Sequence, residues 1–287
     1  MASIIMLSIT LIDGRPITPS ANALARCSEK YMPSPSVIHP NVLPVILIHG
    51  YNEPPSVWSH WEERLRSDGI PFCTVYYLLG LQFRYDQCGS ALDHANDLAQ
   101  IVQDVKSWTP NDHVNMVGHS KGGLDARVYL VNSRTHDVAN LIMIGTPNGG
   151  NPLANELLAA AAKTASIFLP GFELVINSSC RPALDNLAIG ADATKAMENE
   201  STKYYTIYGD WNPSLPCPLI EHEDELYKEL KRLNQIPNDG IVPVWSVESH
   251  AFLPHSTLIG HTQHCQTDLL SDEEYNMAKN NVLLPIK

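Results

Sequence analysis

No stretch of this chain approaches the ~18 apolar residues of a membrane-spanning helix. Positive charge is scarce: 19 Lys and Arg stand against 31 Asp and Glu, a formal net charge of −12. Nucleic acids and anionic membrane surfaces bind clustered Lys and Arg, so neither is expected as the main partner. The six cysteines (Cys27, Cys73, Cys88, Cys180, Cys217, Cys265) contain no C-x-x-C pair. That argues against a zinc ribbon or a thioredoxin-type site. The sequence has no internal repeat and no low-complexity tract. What it does have is 287 residues, 44% of them hydrophobic. That composition excludes wholesale disorder, and the length suits one large α/β domain or two small ones.

The N-terminus carries a nine-residue apolar run, Ile4–Ile12, followed by Ala21-Asn22-Ala23 and Ala23-Leu24-Ala25. An apolar core before small-residue cleavage patterns resembles a signal peptide. The first basic residue, Arg15, follows the run rather than preceding it. Residues 1–25 are therefore expected to be a signal peptide or an N-terminal strand, with secretion slightly favoured over the cytoplasm. Residues 26–40 are expected to be a connector, because 31–40 (YMPSPSVIHP) are rich in Pro and Ser. The folded domain is placed at 41–287. An exported chain with six cysteines permits three disulfides, but their pairing cannot be read from sequence. A chain of this size does not need them for stability.

From Val42 onward, strand-like runs alternate with helical periodicity. Val42–Ile48 is nearly continuous in aliphatic residues, as a strand buried on both faces is. Ser56–Ser67 follows with Val57, Trp61 and Leu65 four apart. Phe72–Leu78 reads as a strand, and Leu92–Trp108 as a helix with Leu92, Ala95, Ala99, Val102 and Val105 in one stripe. Val114–Gly118, Asn140–Ile144, Tyr204–Tyr208 and Ser256–Ile259 read as strands, and Gly122–Asn132 as a buried helix. The last helix, Asp272–Asn280, opens on the capping box Ser271-Asp272-Glu273-Glu274. Alternating β and α elements predict a mainly parallel sheet with helices on both faces. Residues 148–200 break the rhythm with Ala/Leu-rich segments and no strand. They are expected to form a helical cap at the carboxyl edge of the sheet.

The chemistry centres on Gly118-His119-Ser120-Lys121-Gly122, a G-x-S-x-G. By itself the pattern would arise by chance in roughly one chain in ten of this length. Its context is specific, because it directly follows the strand VNMV and opens the helix GGLDARVYLV. A serine on such a strand–turn–helix is lifted above the sheet edge, at the positive end of the following helix. With VILIHGY upstream and GTPNGG at 145–150, the chain resembles the α/β-hydrolase superfamily, in particular its bacterial and archaeal lipase–esterase branch. The match runs over about residues 42–280.

That resemblance implies the α/β-hydrolase fold and a Ser-Asp-His triad in that chain order. Ser120 is the nucleophile. The oxyanion hole is expected from the backbone N–H of Lys121, the residue after it, and of Tyr51, in His49-Gly50-Tyr51. His49 is expected to shape the loop, and the Lys121 ammonium to sit in solvent rather than meet substrate. Two aspartates compete for the acid. Asp210 follows the strand YYTIYG, whereas Asp239 lies in Pro237-Asn238-Asp239-Gly240-Ile241-Val242-Pro243, whose N-D-G-x-V resembles the acid segment of lipases. Asp239 is preferred.

The base must follow Asp239, on the loop at about 260–271, which leaves His261 and His264. The family often places this histidine three residues before a Leu-Leu pair, where this chain has Gln266. His261 is 22 residues beyond Asp239 (261 − 239) but abuts the strand end. His264 is preferred, with His261 as the alternative. A different reading makes His261, His264 and Cys265 metal ligands.

The function expected is a serine carboxylic-ester hydrolase, an esterase or lipase, acting on a small-molecule or lipid ester. It needs no cofactor and no metal. A lactonase, thioesterase or acyltransferase would use the same triad. A hydrolase-fold binding protein without activity, or a metal-dependent hydrolase, is the reading from another class.

Overall fold

The computed structural model describes residues 25–34, 41–51, 53–79, 84–85, 88–108, 111–133, 135–162, 181–196, 199–210, 223–249, 256–262 and 272–284. The apolar run at 4–12 and the alanine cleavage patterns up to residue 24 lie outside them, as do residues 163–180 of the expected cap, His264 and Cys265.

Among the described residues eight strands form one sheet: β1 (Ala25–Tyr31), β2 (Val45–Ile48), β3 (Phe72–Leu79), β4 (Arg84–Tyr85), β5 (Val114–His119), β6 (Val138–Ile144), β7 (Lys203–Gly209) and β8 (Ser256–Thr262). Their spatial order is β1-β3-β2-β5-β6-β7-β8, with β4 on β3. From β3 to β8 the neighbours are parallel. β1 and β4 pair antiparallel to β3.

The expected connector at 26–40 is therefore corrected at its start. Arg26–Tyr31 belong to the edge strand β1, and the Cys27–Cys73 disulfide ties it to β3. The Pro/Ser composition that suggested a connector begins only beyond it. All cysteines among the described residues are disulfide-bonded.

Successive residues of a strand face opposite sides of the sheet, and the core divides accordingly. Ile46, Ile48, Val75, Tyr77, Met116, Leu141 and Met143 face one side. There they pack on α2 (Ala91–Lys106) and α3 (Lys121–Ser133). Val45, Leu47, Phe72, Val117, Ile142 and Ile144 face the other. They meet Trp61 and Leu65 of α1 (Ser59–Ser67) and Tyr275 and Ala278 of α8 (Asp272–Ala278). With both faces covered, a continuous aliphatic run rather than an alternating one is what β2 (VILI) needs. Burying each large aliphatic or aromatic side chain stabilises the fold by about 1.5–3 kcal/mol. α3 is buried from Lys121 to Asn132, including the stretch Gly122–Asn132 expected to be a buried helix.

Two helices of the expected cap are described, α4 (Pro152–Ala162) and α5 (Arg181–Leu187). Ala154, Leu157, Leu184 and Leu187 form a third apolar cluster with Leu124 of α3, and Tyr51 packs against it. This insertion therefore rests on the helix that follows Ser120. Further along the chain lie α6 (Glu223–Arg232) and α7 (Val244–Val247).

Candidate active site

Ser120 sits between the end of β5 and the start of α3 with φ +49°. The left-handed region costs a non-glycine residue about 1–3 kcal/mol and persists only where surrounding structure fixes it. Here the Ser120 N–H donates to Ile144 O at 2.8 Å, tying the turn to β6. The helix that follows must pass close under β2. A Cβ on Gly122 would lie 2.4 Å from Ile48 O and 2.6 Å from His49 O, so only glycine fits. The motif's glycines thus let α3 start directly beneath the sheet edge. The Lys121 amide lies at the positive end of α3.

The loop after β2 closes against the serine from the other side. A Cβ on Gly50 would lie 2.8 Å from Ser120 Cβ and 2.8 Å from Glu53 Oε2. Tyr51 follows directly, half-buried, and burial pushes its phenol up to about 12. His49 is buried, with Nδ1 3.0 Å from Gly50 O and its ring edge-on to Tyr77. Burial lowers its pKa to about 4, so it is uncharged at neutral pH and fits the loop-shaping role.

Lys121 does not sit in solvent as expected. Its side chain is 1% exposed, and Nζ donates to Asp125 Oδ1 at 2.6 Å. His94 Nδ1 lies 2.8 Å from Asp125 Oδ2, and the His94 ring stacks on Tyr77 at 3.8 Å. Spacing explains the error. Positions 121 and 125 are one helical turn apart on α3, and that face is turned into the core rather than toward water. Burial pushes the Asp125 carboxyl up, but Lys121 and His94 hold it on balance below its ordinary value.

The two candidate acids are in different surroundings. Asp210, at the end of β7, is exposed, whereas Asp239 is buried. Asp239 Oδ1 accepts from the N–H groups of Ile241 (2.9 Å) and Val242 (2.5 Å). Burial raises its pKa to about 6 against these backbone bonds and the nearby His119. Its Oδ2 lies 3.4 Å from the point where a Cβ on Gly145 would stand, and His119 Nε2 lies 3.9 Å from the same point. Asp239 thus converges with the Ser120 turn over the end of β6.

Other side chains fix this arrangement. Ser246 Oγ donates to Gly150 O at 2.6 Å, and Asn148 Nδ2 to Val247 O at 3.0 Å. The segment at 145–150 is thereby joined to the stretch just beyond Asp239. Arg127, buried on α3, donates to Asn148 Oδ1 at 3.0 Å and Ala196 O at 2.7 Å. It links that segment to the end of the insertion.

β8 runs to Thr262, beyond the expected strand end at Ile259, so His261 is a strand residue in register with Tyr208. His264 is two positions past the strand. The suggested cluster of His261, His264 and Cys265 lies outside the described side chains.

Sequence reasoning assigned no role to Glu53, His94, His119, Asp125 or Arg127. His119 Nδ1 lies 2.9 Å from Glu53 beside Ser120. Only the three-residue step from Gly50 to Glu53 is a local signal.

Residues 44–203 match the model of the family described as palmitoyl protein thioesterase, which is 160 of the 287 residues. The chain belongs to the palmitoyl protein thioesterase family. A triacylglycerol lipase of Pseudomonas fragi is 25% identical over 140 residues, 45% of this chain and 40% of that protein. Triacylglycerol lipase 2 of Saccharomyces cerevisiae is 31% identical over 107 residues, 35% of this chain and 30% of that protein. The chain therefore spans less than half the length of these two curated relatives. Among solved structures, the mature Bacillus licheniformis lipase BlEst2 superposes with a TM-score of 0.62 at 22% identity. That match covers 86% of this chain and 94% of the lipase. The esterase RhEst1 from a Rhodococcus species gives a TM-score of 0.52 at 16% identity, over 85% of this chain and 90% of that one. The fold of this thioesterase-family chain is the α/β-hydrolase fold, as the elbow motif implied.

Proposed function

We propose that this protein is a serine ester hydrolase. The carrying observation is Ser120: a non-glycine residue at φ +49°, at the sheet edge, between the Gly50–Tyr51 loop and the first amide of α3. Asp239, buried on the same edge, is the acid. The base is His264, two residues past β8, with His261 as the alternative. Loops after parallel strands open on one edge of an α/β sheet, the edge that carries Ser120, and this supports the assignment.

In this reading histidine takes the Ser120 Oγ proton as oxygen attacks the acyl carbonyl. The N–H groups of Tyr51 and Lys121 hold the developing oxyanion, each worth ~10²–10³ in rate. Asp239 holds the histidine tautomer and stabilises imidazolium. The leaving alcohol departs with the histidine proton, and water then releases the acid by the same route. No cofactor takes part.

The substrate is a small-molecule or lipid acyl ester. The buried apolar cluster of Leu124, Leu157, Leu184 and Leu187 packs against Tyr51 beside the oxyanion loop. The family match favours a second reading, in which the leaving group is a thiol. The Cys27–Cys73 disulfide favours an oxidising compartment, in line with secretion.

The test is hydrolysis of p-nitrophenyl esters from C2 to C16, and of a palmitoyl thioester, by wild type and Ser120→Ala. Wild-type turnover that vanishes in the variant supports the assignment, and relative kcat/KM separates the two leaving groups. Turnover untouched by the substitution, or none in wild type, removes it.

A further inference from the structure

Glu53 and His119 take no part in the acyl-transfer steps, yet they join two of the components. The Gly50 N–H donates to Glu53 Oε2 at 2.7 Å. His119 Nδ1 lies 2.9 Å from each oxygen of the same carboxylate. Gly50 precedes Tyr51, whose amide is one proposed oxyanion donor. His119 precedes Ser120. One carboxylate therefore receives a donor from the oxyanion loop and another from the nucleophile turn.

The electrostatics support an ionised pair. Burial pushes the Glu53 carboxyl up, but His119 and the Gly50 amide bring it on balance below its ordinary value. An ionised Glu53 offers only acceptors, so His119 Nδ1 carries the proton between them. Such charge-assisted bonds are about twice as strong as neutral ones. The contact is also tight, since Gly50 has no room for a Cβ between Glu53 Oε2 and Ser120 Cβ. On its other side the His119 ring turns Nε2 toward the point over Gly145 that Asp239 Oδ2 also approaches.

We infer that Glu53, bonded to both Gly50 and His119, is a positioning residue that locks the oxyanion loop onto the nucleophile turn. The inference rests on the serine-hydrolase reading above. Oxyanion stabilisation depends on donors fixed before charge develops, because a loop that must reorganise forfeits part of the gain. The lock therefore acts on the transition state more than on substrate binding.

The experiment compares wild type, Glu53→Ala, Glu53→Gln and Glu53→Asp with p-nitrophenyl butyrate. Reactive serines are counted with a fluorophosphonate, and folding is followed by circular dichroism. Glu53→Ala is expected to lower kcat about 10- to 100-fold with KM within about two-fold, part of the ~10²–10³ for a lost donor. Gln keeps an acceptor for the Gly50 N–H and should recover most of kcat. Asp, one methylene shorter, should not. If Glu53→Ala does not fold, the contrast of Gln with Asp decides alone. Unchanged kcat per labelled serine in Ala or Asp, or a loss confined to KM, overturns the inference. A wild type as inactive as Ser120→Ala would sink the hydrolase reading and this inference with it, and that control is read first.

Discussion

Replacing Lys121 with Met tests the buried network on α3. Met fills a similar volume but removes the ammonium that lies 2.6 Å from Asp125 Oδ1. At an effective dielectric of about 20, attraction at that distance is about 6 kcal/mol, most of which offsets desolvation. Removing one partner of a buried pair costs about 3–5 kcal/mol, because the other charge is left behind. His94 remains 2.8 Å from Asp125 Oδ2, so the lower end, about 3 kcal/mol, is expected. For a domain of this size that is a fall in Tm of roughly 6–12 °C.

The pH dependence follows from Asp125, whose folded pKa lies below its ordinary 3.8. A depressed carboxylate contributes stability above the unfolded value and loses it as pH falls through the folded one. The deficit of Lys121→Met should therefore be full at neutral pH and narrow below about pH 4. Urea unfolding of wild type, Lys121→Met, Asp125→Leu and the double variant provides the assay. The double variant should recover part of the loss. A Lys121→Met effect within about 0.5 kcal/mol, as at an ordinary surface site, would refute the reasoning.

Two further outcomes are expected. Asp239→Asn keeps an oxygen for the Ile241 and Val242 amides, so melting temperature at pH 7 should hardly move while kcat falls by ~10³ or more. In wild type, kcat/KM should decline in acid near pH 6, as the coupled histidine base and Asp239, whose pKa burial raises to about 6, take up protons, and an acid limb near 4 would contradict that. Cys27→Ala/Cys73→Ala opens a loop with a sequence separation of 46 residues, for which chain entropy gives about 4 kcal/mol. A denaturant midpoint matching wild type would show that β1 is held by its ladder alone.

The elements most legible in the sequence were those whose signal is local. Aliphatic runs at 42–48 and 140–144 gave strands because both faces of a parallel sheet are buried. The tight glycines around Ser120 gave the elbow because a helix cannot start beneath a strand edge with side chains in the way. N-D-G-x-V marked Asp239 because the carboxylate bonds its own following amides. β1 escaped because its evidence is a partner: Cys27 faces Cys73, 46 positions away. Lys121 was misplaced for the same reason, since a lysine in a helix gives no sign of which way its face will turn.

The sequence by itself determined the G-x-S-x-G turn around Ser120 and the alternation of strands and helices from β2 onward, and so the fold. Each rests on spacing within a few residues, where chain geometry leaves few alternatives. Only the tertiary structure decided that Asp239 rather than Asp210 is the buried carboxylate. It alone decided that Lys121 pairs with Asp125 and His94, and that Glu53 bridges Gly50 and His119. Those facts depend on which side chains lose water together, and desolvation is a property of packed neighbours rather than of position along the chain.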